Sequence, residues 1–212
     1  MPQKQQTLSV DFSNPTDMLR VVSQPPSLHS YTADWENLDL QVYEAAPPWE
    51  TPIHVCEKHL LIVHSEPELT IERQIGDQRR LDSAQIGDIN FIPAFVEHSC
   101  AWRDRGARIL VLTIEPKLVS HIAYEYLNPD NIKFIPTFAQ PDPLIYGVAL
   151  SLNKALENGR SNTRLYSESL GQALAAHLVQ NYTPNKPTFQ SYQDGLPRHG
   201  DISLSVCSTT TY

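Results

Sequence analysis

Between residues 38 and 116 the sequence repeats one pattern, in which short apolar or alternating runs are separated by turn residues. Leu69–Ile75 alternates apolar with polar side chains, as in a strand with one buried face. Leu60–Val63 is continuously apolar, as in a strand buried on both faces. Comparable runs occupy residues 38–43, 89–92 and 108–114. Strands this short and this closely spaced predict a β-sandwich or a small barrel.

The hydrophobic period changes from strand-like to helical after Pro116. Two further amphipathic segments follow, one from Pro143 to Asn158-Gly159 and one over Arg164–Tyr182. Because a short polar loop joins them, they should pack as an antiparallel hairpin. The predicted organisation is an N-terminal arm over 1–35, a barrel over 36–140, a helical hairpin over 141–182, and a linker with a disordered tail over 183–212.

Charge and cysteine content narrow the function classes. The 212 residues carry a formal net charge of -8. Arg79-Arg80 and the segment from Arg103 to Arg108 are the densest basic spots, and neither forms the basic stripe that binds DNA phosphates. The three cysteines lack CxxC spacing, which indicates reduced thiols. With no signal-peptide pattern and no long apolar run, we expect a soluble, cytoplasmic protein that does not enter membranes.

The segment from Gly87 to His98 resembles the second sequence motif of cupins, which places a glycine, then a proline, then a histidine. Pro93 fills the proline position, but Phe95 stands where the motif prefers glycine and Trp102 stands where it has asparagine. In metal-binding cupins the histidine is a metal ligand. The His-x-His of the first cupin motif is missing, so we expect neither a bound metal nor another cofactor.

The nearest substitutes for that first motif are three histidines spaced by five residues, His54, His59 and His64. An odd separation along a strand places side chains on opposite faces, so His59 and His64 should not point into one barrel together. A metal site normally needs three or four converging ligands.

A cupin-like segment followed by the helical stretch Tyr166–Leu178 resembles the sensor half of AraC-family transcriptional regulators. The resemblance implies a mainly β fold with C-terminal helices: a cupin-like double-stranded β-helix barrel followed by an antiparallel helical hairpin. In that family a segment like Gly195-Leu196-Pro197-Arg198 introduces the helix-turn-helix half. Here residues 199–212 are a Ser/Thr-rich tail instead, which predicts a truncated regulator whose chain alone does not bind DNA.

The function that follows is a small-molecule-sensing and dimerising module, not an enzyme. An apolar barrel lumen with a few polar groups is a normal small-molecule site. The candidate ligand-binding residues are Trp49, His59, Phe91, His98 and Trp102. The candidate dimer-interface residues are Leu170, Leu174 and Leu178, which could equally pack against the barrel of their own chain. The expected partners are a small-molecule effector and either a second copy or a full-length regulator.

Two alternatives stay open. The first is a small metal-dependent cupin enzyme, an oxygenase or isomerase, in which His98 is a ligand and Glu97 or Glu57 assists. The second is a remnant of a full-length regulator that has no function beyond folding.

Overall fold

A computed structural model describes residues 7–184 except for 67, 77, 104–105, 127–132 and 160–162. Residues 185–212, which make up nearly all of the expected linker and tail, therefore lie outside the described residues. The elements in chain order are β1 (Leu8–Val10), α1 (Pro15–Val21), β2 (Leu28–His29), β3 (Leu38–Ala46), β4 (Trp49–Glu50), β5 (His54–Cys56), β6 (His59–His64), β7 (Leu69–Ile75), β8 (Gln78–Ala84), β9 (Asp88–Ile92), β10 (His98–Trp102), β11 (Ala107–Ile114), α2 (Pro116–Tyr126), β12 (Thr137–Pro141), α3 (Pro143–Glu157) and α4 (Arg164–Asn181).

The strands form two sheets whose order identifies a jelly roll. One sheet has the order β5-β10-β7-β8, with β1 added beside β5 and β4 beside β10. The other has the order β9-β6-β11-β3, with β12 and β2 added at its edges. Successive strands cross between the sheets and pair antiparallel around a shared axis, except that β1 runs parallel to β5. This is the double-stranded β-helix that cupins share, so the predicted fold class is confirmed.

Each run that predicts a strand coincides with a strand of the structure, except that one strand is shifted along the chain. Several short strands of the structure were not predicted. The alternating run at residues 69–75 and the apolar run within 59–64 match β7 and β6. The short run Phe134–Phe138 also favours a strand by its sequence, but the strand in the structure, β12, is displaced to Thr137–Pro141, where it pairs with β9 through a register shift. Asn14-Pro15, which reads as a turn, instead starts α1, since the Asn14 side chain accepts a hydrogen bond from the Thr16 backbone N–H at 2.9 Å.

The sheet that contains β6 has two differently packed faces, because side chains alternate along a strand. Its inner face meets the opposing sheet and forms the barrel lumen, with Tyr43 and Leu60 among the buried residues. Its outer face packs under the helices and contains Leu61 and Phe91. Helices α2, α3 and α4 therefore cover the barrel from outside, whereas α1 adds Met18 and Val21 to the inner cluster.

Helices α3 and α4 are antiparallel, as predicted. The residue before α3, Asp142, accepts hydrogen bonds from His177 near the end of α4 and from Tyr182 just beyond it. Gly171 of α4 faces Leu118 of α2, so that α4 also packs along α2. Within the described ranges, no helix is long and apolar enough to cross a membrane.

Candidate functional site: the barrel lumen

The lumen holds polar side chains where a barrel of this size usually has apolar ones. Arg73 and Asp82 enter from one sheet, and His64 and Asn90 enter from the other, all of them buried. Their positions follow from strand alternation, since Arg73 shares a face with Leu69 and Ile71 of β7. The lumen is therefore charged as well as apolar.

Arg73 is almost completely buried. It is 4% exposed, and its Nε lies 3.2 Å from Asp82 Oδ2 without hydrogen-bonding geometry. Phe138 of β12 covers one face of the guanidinium, with its ring centroid 5.2 Å from Cζ. Burial lowers the pKa of Arg73, and the nearby Asp82 carboxylate opposes that shift. A guanidinium nevertheless stays charged in proteins, so the lumen contains a fixed cation.

Asp82 is shared between two arginines. Its Oδ1 forms an ion pair with Arg80 Nε at 2.6 Å, and the Arg80 side chain is 66% exposed at the barrel surface. Among the described residues, Arg73 Nη2 has no hydrogen-bond acceptor. A buried donor without an acceptor is uncommon, because its lost hydration is uncompensated.

His64 and Asn90 form a neutral pair opposite Arg73. Asn90 Nδ2 lies 2.7 Å from His64 Nε2, and Asn90 Oδ1 accepts a hydrogen bond from the Ala139 backbone N–H at 3.0 Å. With its amide oxygen so used, Asn90 donates to His64, whose Nε2 is therefore unprotonated. Burial and the positive charge of Arg73 lower the pKa of His64 to about 3. At neutral pH this histidine carries no charge.

A second pair of neutral side chains, formed by two histidines, lies at the β5 end of the lumen. The rings of His54 and His98 are 4.1 Å apart between centroids. Each directs Nδ1 at a carbonyl two residues earlier, Pro52 O at 2.8 Å and Val96 O at 3.1 Å. Burial lowers the pKa of both, that of His98 to about 3, and His54 contributes to the His98 shift. Both rings are neutral at pH 7.

These residues do not fit a cupin metal centre. A metal site needs three or four converging ligands, and the His54–His98 pair offers two. In the part of the chain that the structure describes, no three His, Cys, Asp or Glu side chains are grouped to hold a metal ion.

The five predicted ligand-binding residues separate into three locations. Trp102 lines the lumen cavity, and His98 lies on the same face of β10 because the two residues are four positions apart. His59 and Phe91 lie on the outer face of their sheet, with ring centroids 5.9 Å apart, so the expectation that they line the lumen is corrected. Trp49 is 38% exposed on β4 and donates from Nε1 to Val21 O at 2.9 Å. His59 lies outside the lumen because alternate residues of a strand point to opposite faces. His59 and His64 do point to opposite faces, as their odd spacing predicts.

The three predicted dimer-interface leucines face into their own chain. Leu174 and Leu178 are fully buried under the barrel, and Leu170 is partly buried against the same cluster. Buried side chains are not available to a partner in this structure. Packing within the chain, the alternative that the sequence leaves open, therefore describes Leu174 and Leu178.

Arg73, Asp82 and Asn90 were not singled out from the sequence, although a signal for Arg73 was present. In Leu69–Ile75 the odd positions form the apolar face, and Arg73 is the one charged residue on it. A charged residue at a core position of an alternating strand indicates either a buried ion pair or a ligand contact.

The free space in the lumen is small. A cavity of about 30 Å³ lies beside Arg73. The side chains around it are Ile62, His64, Leu69, Ile71, Asn90, Cys100, Trp102, Ala107 and Ile109.

No protein-family model matches this sequence, and no curated protein matches it. Solved structures do resemble it in shape. Apo ToxT from Vibrio cholerae strain SCE256, an AraC-family protein, is 8% identical with a TM-score of 0.46, over 68% of this chain and 54% of that chain. A cupin domain from Bordetella pertussis Tohama I is 17% identical with a TM-score of 0.35, over 42% of this chain and 91% of that one.

Oxalate decarboxylase from Bacillus subtilis is also 17% identical, with a TM-score of 0.32, and the match covers 39% of this chain. It spans about a fifth of that enzyme's length, 22%. All three scores are below 0.5, so the fold assignment rests on the strand order described above and not on these neighbours.

Proposed function

We propose that this chain is the small-molecule-sensing and dimerising module of an AraC-type transcriptional regulator, and that its role is not enzymatic. The observation that carries the proposal is a jelly-roll lumen that encloses a buried polar cluster around Arg73 and lies next to a helical layer. Binding sites of this kind combine apolar walls with a few convergent polar groups.

Two neighbouring residues of β9 connect the lumen to the helices. Asn90 faces the lumen and bonds to His64, whereas Phe91 faces outward and meets Tyr182 with ring centroids 5.1 Å apart. Tyr182 follows directly after α4. A ligand that shifts β9 would therefore act on the end of α4, which provides a physical route from the lumen to the helical layer.

The outward face of α4 is the dimerisation surface in this proposal, because its inward leucines are buried. Leu165 is 73% exposed and Tyr166 is 47% exposed. The partner in this proposal is a second copy of the chain or another regulator of the same family. A tagged copy that recovers no such regulator from cells would count against heterodimer formation.

Light scattering on the purified chain tests dimerisation. We expect a dimer that Leu165→Glu converts to a monomer, since a charge in an apolar interface is costly. Leu81→Glu is the matched control, because Leu81 is 70% exposed on β8, away from α4. A wild-type monomer, or a dimer that survives Leu165→Glu but not Leu81→Glu, would overturn this part of the proposal.

We expect no affinity of this chain for duplex DNA. Its net charge of -8 opposes phosphate binding, and DNA-binding surfaces need clustered cations. Electrophoretic mobility shift with duplex DNA at low salt is the direct measurement. A retarded, sequence-specific complex would contradict the expectation.

The alternative of a metal-dependent cupin enzyme draws on the paired His54 and His98 in the lumen. Two imidazoles are fewer ligands than a catalytic metal needs, which favours the sensor. Stoichiometric iron, manganese or zinc in protein purified without added metal would restore the enzyme hypothesis. The other alternative, a remnant without function, predicts that no small molecule stabilises the chain.

A further inference from the structure

We propose that the barrel lumen contains an anion subsite at Arg73, which takes the carboxylate group of a small organic acid. This inference deepens the sensing role and rests on that proposed function. It names the chemical class of the effector and the residue that recognises it.

The first support is the unpartnered donor. Arg73 is 4% exposed and lines the cavity, and its Nη2 has no acceptor among the described residues. One face of the guanidinium is covered by Phe138, and the Nε side is directed at Asp82. The Nη2 side is the part of this group left to bind a ligand, and a guanidinium edge matches the geometry of a carboxylate.

The second support is the charge balance around the cavity. Asp82 is the carboxylate within salt-bridge distance of Arg73, and it is divided between Arg73 at 3.2 Å and Arg80 at 2.6 Å. Two cations thus share one anion. His64 is neutral in this environment and Cys100 holds its proton, since burial raises the thiol pKa. Neither supplies a compensating negative charge.

The third support is the size and lining of the space. About 30 Å³ suits one compact group, and the surrounding walls are mostly apolar. Ala139 in β12, next to Phe138, has a left-handed φ of 45°, and β12 pairs irregularly with β9 there. A longer acid would enter by displacing this irregular strand segment, whose Phe138 covers the guanidinium.

Formate and formamide are a matched pair of probes, because they differ in charge and hardly in size. With the full chain at constant ionic strength, formate should raise the Tm saturably by a few degrees, whereas formamide and added chloride should not. In two-dimensional NMR, the Nε–H signal that Arg73→Lys removes should shift with formate and stay in place with formamide.

Variants test the charge argument in opposite directions. Asp82→Asn removes the competing carboxylate and should strengthen the formate response. The double variant Arg73→Gln with Asp82→Asn removes both charges and should abolish it. Arg79→Gln is the matched control, because the Arg79 side chain is 70% exposed on the same strand as Asp82. It should respond to formate as the wild type does.

An equal response to formate and formamide, or a formate response that persists in the double variant, would overturn the anion subsite. If neutral sugars stabilise the wild-type chain and formate does not, the subsite is wrong while the sensing function stands. If a variant fails to fold, the NMR titration of the wild type still tests the subsite, because it compares the shift of the Arg73 Nε–H signal with formate and with formamide.

Discussion

His177 Nε2 lies 2.7 Å from Asp142 Oδ2, and this contact fastens the end of α4 to the start of α3. The same carboxylate oxygen accepts a hydrogen bond from the Tyr182 hydroxyl at 2.7 Å, and Oδ1 caps α3 by accepting from the Ile145 N–H at 3.0 Å. One side chain thus serves as helix cap and as the junction of the hairpin.

Protonation of Asp142 at low pH should lower the free energy of unfolding. Burial by itself raises the pKa of Asp142, but the hydrogen bonds from His177, Ile145 and Tyr182 outweigh it and hold the pKa at about 2. A carboxyl pKa below its unfolded value adds stability above the unfolded pKa, and that stability is lost as pH falls through the folded value. We expect the carboxylate to contribute about 1–2 kcal/mol at pH 7, lost between about pH 5 and pH 2.

Asp142→Asn should remove this contribution at pH 7 and flatten the loss of stability between pH 5 and pH 2. Urea unfolding across that range is the measurement. Asp34→Asn is the control, since the Asp34 side chain is 86% exposed. Equal acid sensitivity in the wild type and Asp142→Asn would show that the hairpin does not depend on this carboxylate.

The backbone of Phe95 has the conformation that the cupin motif reserves for glycine. Its φ is 65°, its side chain is 68% exposed, and its N–H donates to Cys56 O at 2.8 Å. A left-handed conformation costs a non-glycine residue about 1–2 kcal/mol. We expect Phe95→Gly to be more stable than Phe95→Ala by about 1 kcal/mol, measured by chemical denaturation. The reverse order would mean that Phe95 leaves this conformation in solution.

The sequence predicted a β-sandwich or small barrel because the strands buried on one or both faces carry clear periodicity, as in β6 and β7. The double-stranded β-helix itself followed from the resemblance of the Gly87–His98 segment to a cupin motif. Strand β8 was missed, because its first four residues, Gln78 to Leu81, are exposed and show no apolar alternation. Helix α1 was missed because its seven residues are too few to establish a period. Short or exposed elements depend on tertiary contacts that local patterns do not encode.

The site was harder to predict than the fold, because a lumen is defined by strand parity across two sheets. His59 and Phe91 have suitable side chains, but both occupy strand positions whose side chains point to the outer face of the sheet. Asp82 pairs across from Ile71 and so joins the Arg73 face only once β7 and β8 are in register. That register is a property of the fold and cannot be obtained from spacing within either strand.

Gly171 tests the packing between α2 and α4. A Cβ at this position would lie 3.6 Å from Leu118 Cδ2, which is ordinary van der Waals contact. Gly171→Ala should therefore stabilise the chain by about 0.5–1 kcal/mol, because alanine favours the helix. Gly147→Ala in α3, where nothing lies within 4 Å, is the matched control with a similar expected gain. A loss of stability at Gly171 alone would mean that the two helices pack more closely than described.

The neutral histidines of the lumen should make the chain sensitive to mild acid. Burial lowers the pKa of His98 to about 3, from 6.5 in the unfolded chain. As pH falls below about 6.5, the unfolded chain takes up a proton that the folded lumen excludes. Stability is complete above that pH and falls by up to about 1.4 kcal/mol per pH unit for each such histidine, until the folded pKa is reached.

His98→Leu should reduce this dependence by one proton between pH 6 and pH 4, whatever its effect on absolute stability at pH 7. The slope of the unfolding free energy against pH is the quantity to compare, because it counts protons and is insensitive to a small packing defect. His64, with a pKa also lowered to about 3, should continue to contribute in the variant. Identical slopes in the two proteins would mean that His98 is protonated, and therefore hydrated, in the folded barrel.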